Sequence, residues 1–275
     1  RMKPGWAMNS IALIDLDGVV YFGSKVAAGA REAMACLRNR KLECYFVTNN
    51  STQTRRQYVS KLKKMGISAD TGHVITSAYA AAGYIAKNFP GAKVYVVGEH
   101  GLRYELKLAG IALTSPENAD TVVAGLDRKL DYGKISDAAT VARRGRFIAT
   151  NTDATFPVEN GLLPGSGAGI SAIACASRNP DVVIGKPSRH MLEPIEMIHG
   201  HKNARYIVVG DRYETDIAFA MEIHAISVFV EDSPVNKLAA EPAKFKHLYP
   251  PDYTIRTIAG LPKLLERIIS NAGIQ

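Results

Sequence analysis

The chain has 275 residues, enough for one large domain or two modest ones. Hydrophobic residues make up 47% and charged residues 22%, ordinary values for a soluble globular protein, and no apolar run approaches the ~20 residues that span a bilayer. Net charge is +8, which can mean nucleic acid but equally suits an anionic small substrate; the basic residues are spread out and a single Trp gives no aromatic–basic interleaving, so the balance reads as a solvated basic surface.

The opening RMKPGWAMNS has basic residues with no apolar core behind them, so no signal peptide is expected, and residues before about Met8 are given no functional weight. From there short apolar strands alternate with amphipathic helical stretches, which predicts parallel βαβ units. A strand over 10–16 runs into Asp17-Gly18; a helix over 29–40, a strand over 43–47, a helix over 53–65 and a short strand over 74–76 follow. The middle block reads as helix 78–88, strand 93–97, helix 101–109, strand 121–124, helix 132–143 and strand 146–149. A Gly/Pro-rich passage over 156–169 interrupts it before a helix over 170–177. Residues 181–184 begin a third set, with strands 205–209 and 225–230 flanking a helix over 213–222. The middle block is therefore a candidate inserted domain, the first and last blocks sharing one sheet. His199 and His201 flank Gly200 and read as a solvated helix C-terminus rather than a metal site. Cys36, Cys44 and Cys175 are odd in number and show no CxxC spacing, which fits a reduced, cytoplasmic protein with buried thiols.

Four clusters carry chemistry. The strand IALI ends in Asp15-Leu16-Asp17-Gly18, two carboxylates one residue apart where α/β sheets place their ligands. Acids this close repel unless a cation or a proton intervenes, so the pair predicts a metal or a split acid/base role. An EF-hand loop needs Gly at its sixth position and Glu at its twelfth, and here Gly18 is fourth and Val26 twelfth. Thr48-Asn49-Asn50-Ser51 follows the strand CYFV and reads equally as a phosphate nest or as a capping run for the next helix. Gly185-Lys186-Pro187-Ser188 follows DVVI; its lysine could neutralise a phosphoryl oxygen, or the segment is an ordinary strand-to-helix turn. Gly210-Asp211-Arg212-Tyr213-Glu214-Thr215-Asp216 follows another apolar strand, and its two aspartates supply hard oxygens suited to Mg²⁺.

In this order, DxDGVV, TNN, GKP and GDRxxTD resemble the haloacid dehalogenase-like superfamily of phosphatases over about residues 10–235. The resemblance implies an α/β fold: a doubly wound, Rossmann-like parallel-sheet core carrying a cap. Asp17 and Thr48 are 31 positions apart, too few for a domain, whereas Thr48 and Lys186 are 138 apart, which leaves room for an α/β insertion. The expected division is a core of residues 1–78 and 182–275 and a cap of residues 79–181. The large cap after TNN, with TNTD and GLLPGSG leading into GKPS, looks like the 4-nitrophenylphosphatase or NagD-like subfamily.

Carried over residue by residue, the resemblance makes Asp15 the nucleophile and Asp17 the general acid and base. Thr48, the Asn49 backbone and Lys186 would hold the phosphoryl group, and Asn50 would help to orient nucleophile or substrate. Mg²⁺ would sit on Asp15, the Asp17 carbonyl, Asp211 and Asp216, the last directly or through water. The loop over 150–157, with Asn151 and Asp153, is the candidate for substrate selection. The implied substrate is a small phosphorylated metabolite, with no nucleic acid or membrane partner and a homodimer through the cap. The rival activity, a nucleic-acid end phosphatase, rests on the basic pI, and a fold-only binding protein is the alternative outside enzymes.

Overall fold

The computed structural model describes residues 10–158, 161–200, 204–233, 236 and 245–271. The residues before Met8 and the imidazole of His201 lie outside that set. Strand β1 (Ser10–Ile14) is buried along its whole length, as expected of an unalternated apolar run in the middle of a parallel sheet. A two-strand flap, β2 (Tyr21–Phe22) and β3 (Lys25–Val26), precedes helix α1 (Ala30–Asn39), strand β4 (Glu43–Thr48), helix α2 (Arg55–Lys64) and strand β5 (Val74–Thr76). The middle block runs α3 (Ser77–Asn88), β6 (Lys93–Val97), α4 (His100–Leu108), β7 (Ala112–Leu113), β8 (Thr121–Ala124), α5 (Tyr132–Arg144) and β9 (Arg146–Ala149). The Gly/Pro-rich passage is a hairpin, β10 (Thr155–Val158) and β11 (Gly161–Pro164), leading into α6 (Ser166–Ala176) and β12 (Val182–Val183). The chain closes with α7 (Glu193–His199), β13 (Arg205–Gly210), α8 (Ala218–Glu222), β14 (Ile226–Val230), β15 (Tyr253–Ile255) and α9 (Leu261–Asn271).

Two parallel sheets result. The first has six strands in the order β15-β14-β13-β1-β4-β5, and the second has five in the order β12-β9-β8-β6-β7. In the first, strand order reverses between β1 and β13, so the crevice at their carboxyl ends is the topological switch point where doubly wound sheets bind ligands. Alternate residues of β1 pack on opposite faces. Ala12 and Ile14 meet α1 and α9 through Ala33, Leu37 and Leu265. Ile11 and Leu13 join a cluster with Ala81 and Ile85 of α3 and with Val94, Val123 and Ile148 of the second sheet. The second sheet thus docks on the first through α3, and its far face packs on α5 and α6.

One strand departs from expectation. β12 pairs with β9 in the second sheet, with Ile184 N–H on Ala149 O at 3.0 Å and Gly185 N–H on Thr150 O at 2.7 Å, instead of opening the third set. A two-residue Val-Val strand carries nothing in its pattern that says which sheet it joins. The thiols also differ from expectation: Cys36 and Cys44 are half-buried and Cys175 is exposed, and all three are free. No described helix is long and apolar enough to cross a membrane.

A buried ion pair ties the two sheets' helices together. Arg55, in the first turn of α2, places Nε 3.2 Å from Glu105 Oε1 of α4, and its guanidinium lies over the Tyr79 ring at 3.6 Å. Glu105 is 2% exposed. Arg55→Ala strands that carboxylate and is expected to cost about 3 kcal/mol, read as a fall in Tm of several degrees. Glu105→Gln in the same background should recover most of it; no recovery would mean that the arginine acts through packing alone.

Candidate active site

Four loops meet at the switch point. The Leu16 carbonyl accepts N–H groups from Val20 and Tyr21 at 3.0 and 3.2 Å, folding the chain after β1 into a tight turn that lifts Asp17 above the sheet. Gly18 makes this turn at φ +106°, and a Cβ there would lie 2.1 Å from Asp211 Oδ2, so only glycine lets the turn close over the end of β13.

The TNNS segment is free of capping duty. Thr54 caps α2 in its place: its hydroxyl accepts Gln57 N–H at 3.2 Å while Gln57 Oε1 accepts Thr54 N–H at 2.8 Å. The Asn49 side chain grips the lysine loop from both sides, Oδ1 accepting Lys186 N–H at 2.7 Å and Nδ2 donating to Lys186 O at 3.0 Å. The same Nδ2 reaches Asp153 Oδ1 at 3.0 Å, and Asn151 Nδ2 donates to Asn49 O at 2.7 Å. Expected to act through its backbone, Asn49 is seen to tie the lysine loop to the loop over 150–157 through its side chain. Thr48 Oγ1 accepts Asn50 N–H at 3.1 Å. Asn50 lines the cavity, but its Oδ1 is taken by the Thr52 N–H and hydroxyl, and no hydrogen bond joins it to Asp15.

Lys186 is not on an ordinary turn. It is 4% exposed, with Nζ 2.5 Å from Asp15 Oδ1, 2.5 Å from Asp216 Oδ1 and 3.0 Å from Val47 O. Burial disfavours the ammonium, yet Asp15 and Asp216 override it and hold Lys186 above the usual lysine range. Asp216 lies in a wide turn at the start of the helix before α8, where Ile217 N–H bonds Arg212 O at 3.2 Å. Its Oδ2 accepts the N–H groups of Asp211 and Arg212 at 3.2 and 3.1 Å.

Asp15, Asp211 and Asp216 each offer an oxygen within 4.8 Å of the others. Both Asp211 oxygens are buried and have no partner in hydrogen-bonding geometry, although the nearby Ser233 hydroxyl favours the charged form. Burial, reinforced by Asp216, pushes the Asp211 carboxyl up to about 7. Burial likewise raises Asp15 well above the carboxylate range, against Lys186 and with Asp216 and Asp211 adding to it. Three converging carboxylates, one of them without a partner, form the hard-oxygen set that a divalent cation satisfies. The Asp17 carboxylate stands outside this set.

Asp17 is half-buried at the mouth and accepts the Tyr21 hydroxyl at 3.4 Å. Burial raises its pKa, opposed by Lys61 and Tyr21, so its carboxyl holds a proton more readily than a free aspartate. Asp153 is raised by burial too, with Arg212 opposing. Arg212, part of GDRxxTD but given no role there, donates from Nη2 to Thr155 O of the hairpin at 3.0 Å, tying β10 to the loop over 211–216. Leu126, which also lines the cavity, carried no motif signal, whereas Phe156 falls in the loop over 150–157 and Ser166 in GLLPGSG, neither of them given a role of its own.

Comparison with known proteins agrees with this geometry. A haloacid dehalogenase-like hydrolase model matches residues 12–112, and a HAD-hydrolase-like model matches residues 183–261. An acid sugar phosphatase of Staphylococcus saprophyticus is 37% identical over 256 residues, covering 93% of this chain and 97% of that protein. A p-nitrophenyl phosphatase from Archaeoglobus fulgidus superposes with a TM-score of 0.83 at 31% identity, covering 93% of this chain and 99% of its own. A glycerol phosphate phosphatase from Mycobacterium tuberculosis in complex with calcium gives 0.79 at 30% identity, covering 93% of this chain and 76% of its own.

Proposed function

Because the chain belongs to the haloacid dehalogenase-like hydrolases and is a phosphatase of that family, we propose that it hydrolyses small phosphomonoesters of the sugar phosphate kind through a phospho-aspartyl intermediate. The observation that carries this reading is Lys186 Nζ seated 2.5 Å from Asp15 Oδ1 at the switch point. A cation there holds the nucleophilic carboxylate in place and offers charge to a phosphoryl oxygen.

In this reading Asp15 attacks phosphorus. Asp17, whose burial favours the protonated form, gives its proton to the leaving oxygen and then takes one from the water that cleaves the acyl phosphate. Thr48, Asn49 and Lys186 grip the phosphoryl group, and Asp153 and Asn151 hold the loop over 150–157 above it as a strap. Asp15, Asp211, Asp216 and the Asp17 carbonyl would hold Mg²⁺. When bound, the cation supplies positive charge that offsets the approach of an anionic nucleophile to an anionic ester. The sugar phosphate class follows the named relatives. A nucleic-acid end fits poorly, because the Asn49–Asp153 and Arg212–Thr155 bonds draw the strap across the site where a polymer needs an open groove. The free thiols support a cytoplasmic setting.

The test is phosphate release from 4-nitrophenyl phosphate and glucose 6-phosphate with Mg²⁺ and with chelator, in the parent and in Asp17→Asn. Metal-dependent release is expected. The variant should turn over at least about 100-fold more slowly, with acid-stable phospho-enzyme accumulating. Equal rates in chelator, or an unimpaired variant, would overturn the reading.

A further inference from the structure

We infer that the pocket beside the reaction centre is a leaving-group subsite for a neutral, hydroxylated group, and that Ser166 reads one of its hydroxyls. The inference rests on the phosphatase reading above and names what that activity selects.

Size comes first. The cavity over Asp15 holds about 60 Å³, room for a phosphoryl group and little else. Against it lies a pocket of about 310 Å³, and the two share Leu126, Phe156, Gly165 and Ser166 as a common wall. A group leaving phosphorus toward this wall enters the larger space, which Leu130 and Leu163 also line.

Charge comes second. The pocket's two charged lining residues are already paired: Arg128 donates to Glu99 from Nε and Nη2 at 2.7 and 2.6 Å, and Asp127 accepts Lys134 Nζ at 2.8 Å. Arg212, at the inner end, faces Asp153 and Asp211 and donates to the Thr155 carbonyl. Among the described residues, no uncommitted cation lines the pocket, while Asp15, Asp17, Asp153, Asp211 and Asp216 line the cavity next to it. A second anionic group on the substrate would meet these carboxylates with no side-chain cation to pair it.

Ser166 is the exception to this apolar, neutralised lining. It is 4% exposed, it borders both spaces, and its hydroxyl has no hydrogen-bond partner among the described residues. It stands in the first turn of α6, an eleven-residue helix. The flanking glycines explain why it is bare: a Cβ at Gly165 would lie 2.2 Å from Asp153 O, and one at Gly167 would lie 2.5 Å from Thr152 O. Glycine at both positions lets the strap press on the helix, and only the serine between them presents a side chain to the cavity. A hydroxyl both donates and accepts, and so matches a substrate hydroxyl in either sense.

The experiment measures kcat/KM with Mg²⁺ for 4-nitrophenyl phosphate, glucose 6-phosphate, glycerol 3-phosphate, phosphoglycolate and fructose 1,6-bisphosphate. The neutral hydroxylated esters should exceed phosphoglycolate and the bisphosphate about tenfold or more. Ser166→Ala should lower the ratio of glucose 6-phosphate to 4-nitrophenyl phosphate roughly 3- to 10-fold, and Ser166→Thr should restore it. Preference for phosphoglycolate or the bisphosphate, or an unchanged ratio in Ser166→Ala, would overturn the subsite while leaving the phosphatase reading intact. If the parent cleaves none of the five esters, the phosphatase reading itself fails and the subsite goes with it.

Discussion

Asp15→Asn should eliminate phosphate release, by about 10⁴-fold or more, without loosening the fold. The amide keeps the shape of the carboxylate but has no anionic oxygen to bond phosphorus, so covalent catalysis has no alternative route. Structural tolerance is expected because the charge removed is one of three crowded acids: Asp15 faces Asp216 and Asp211 as well as Lys186. Lys186 retains Asp216 Oδ1 at 2.5 Å and the Val47 carbonyl at 3.0 Å. The check pairs a phosphate-release assay with acid trapping of phospho-enzyme. Asp15→Asn should yield none, whereas Asp17→Asn should accumulate it. A fully active Asn variant at position 15 would remove Asp15 from the chemistry altogether, and a phospho-enzyme still formed by that variant would move the nucleophile elsewhere.

The candidate-site loops were legible because each is short and follows an unalternated apolar strand, which places Asp15, Thr48, Lys186 and Asp211 at carboxyl ends from the sequence alone. Two ambiguities needed three dimensions. TNNS could have been a cap until Thr54 and Gln57 were seen making a capping box of their own. GKPS could have been a plain turn until Lys186 was seen buried between two aspartates. The passage around 156–169 misled for a physical reason. Pro157, Pro164 and the glycines at 161, 165, 167 and 169 carry loop propensity, yet an isolated hairpin tolerates proline and helix α6 begins four residues before its apolar pattern does. Ser166 stands in GLLPGSG but was given no role, since what marks it is the close packing of its neighbours. The side-chain role of Asn49 was equally invisible, because its partner Lys186 is 137 positions away.

In the presence of a chelator, Asp211→Asn should melt above the parent, and with saturating Mg²⁺ the order should reverse. The first half follows from the two Asp211 oxygens, buried and without a hydrogen bond. Leaving such a group unsatisfied costs about 1–3 kcal/mol, more for a charge; a neutral amide lowers that cost, removes the repulsion from Asp216 and can donate to it instead. The pH dependence carries the same signature. The folded carboxyl titrates near 7 and the unfolded one near 4. Between those values the folded, metal-free state holds a proton that the unfolded state has released, so stability falls as pH rises through that window. The Asn variant should lose this contribution and show a flatter profile. The second half follows from mass action: a cation at about 100 times its Kd adds about 2.7 kcal/mol to the parent, and a variant lacking the principal free carboxylate should gain little of it. Thermal melts with and without Mg²⁺ at pH 5 and pH 7.5 decide both halves. A variant that melts below the parent in chelator would mean that Asp211 is satisfied in solution. One that keeps the full Mg²⁺-induced shift would place the cation on other ligands.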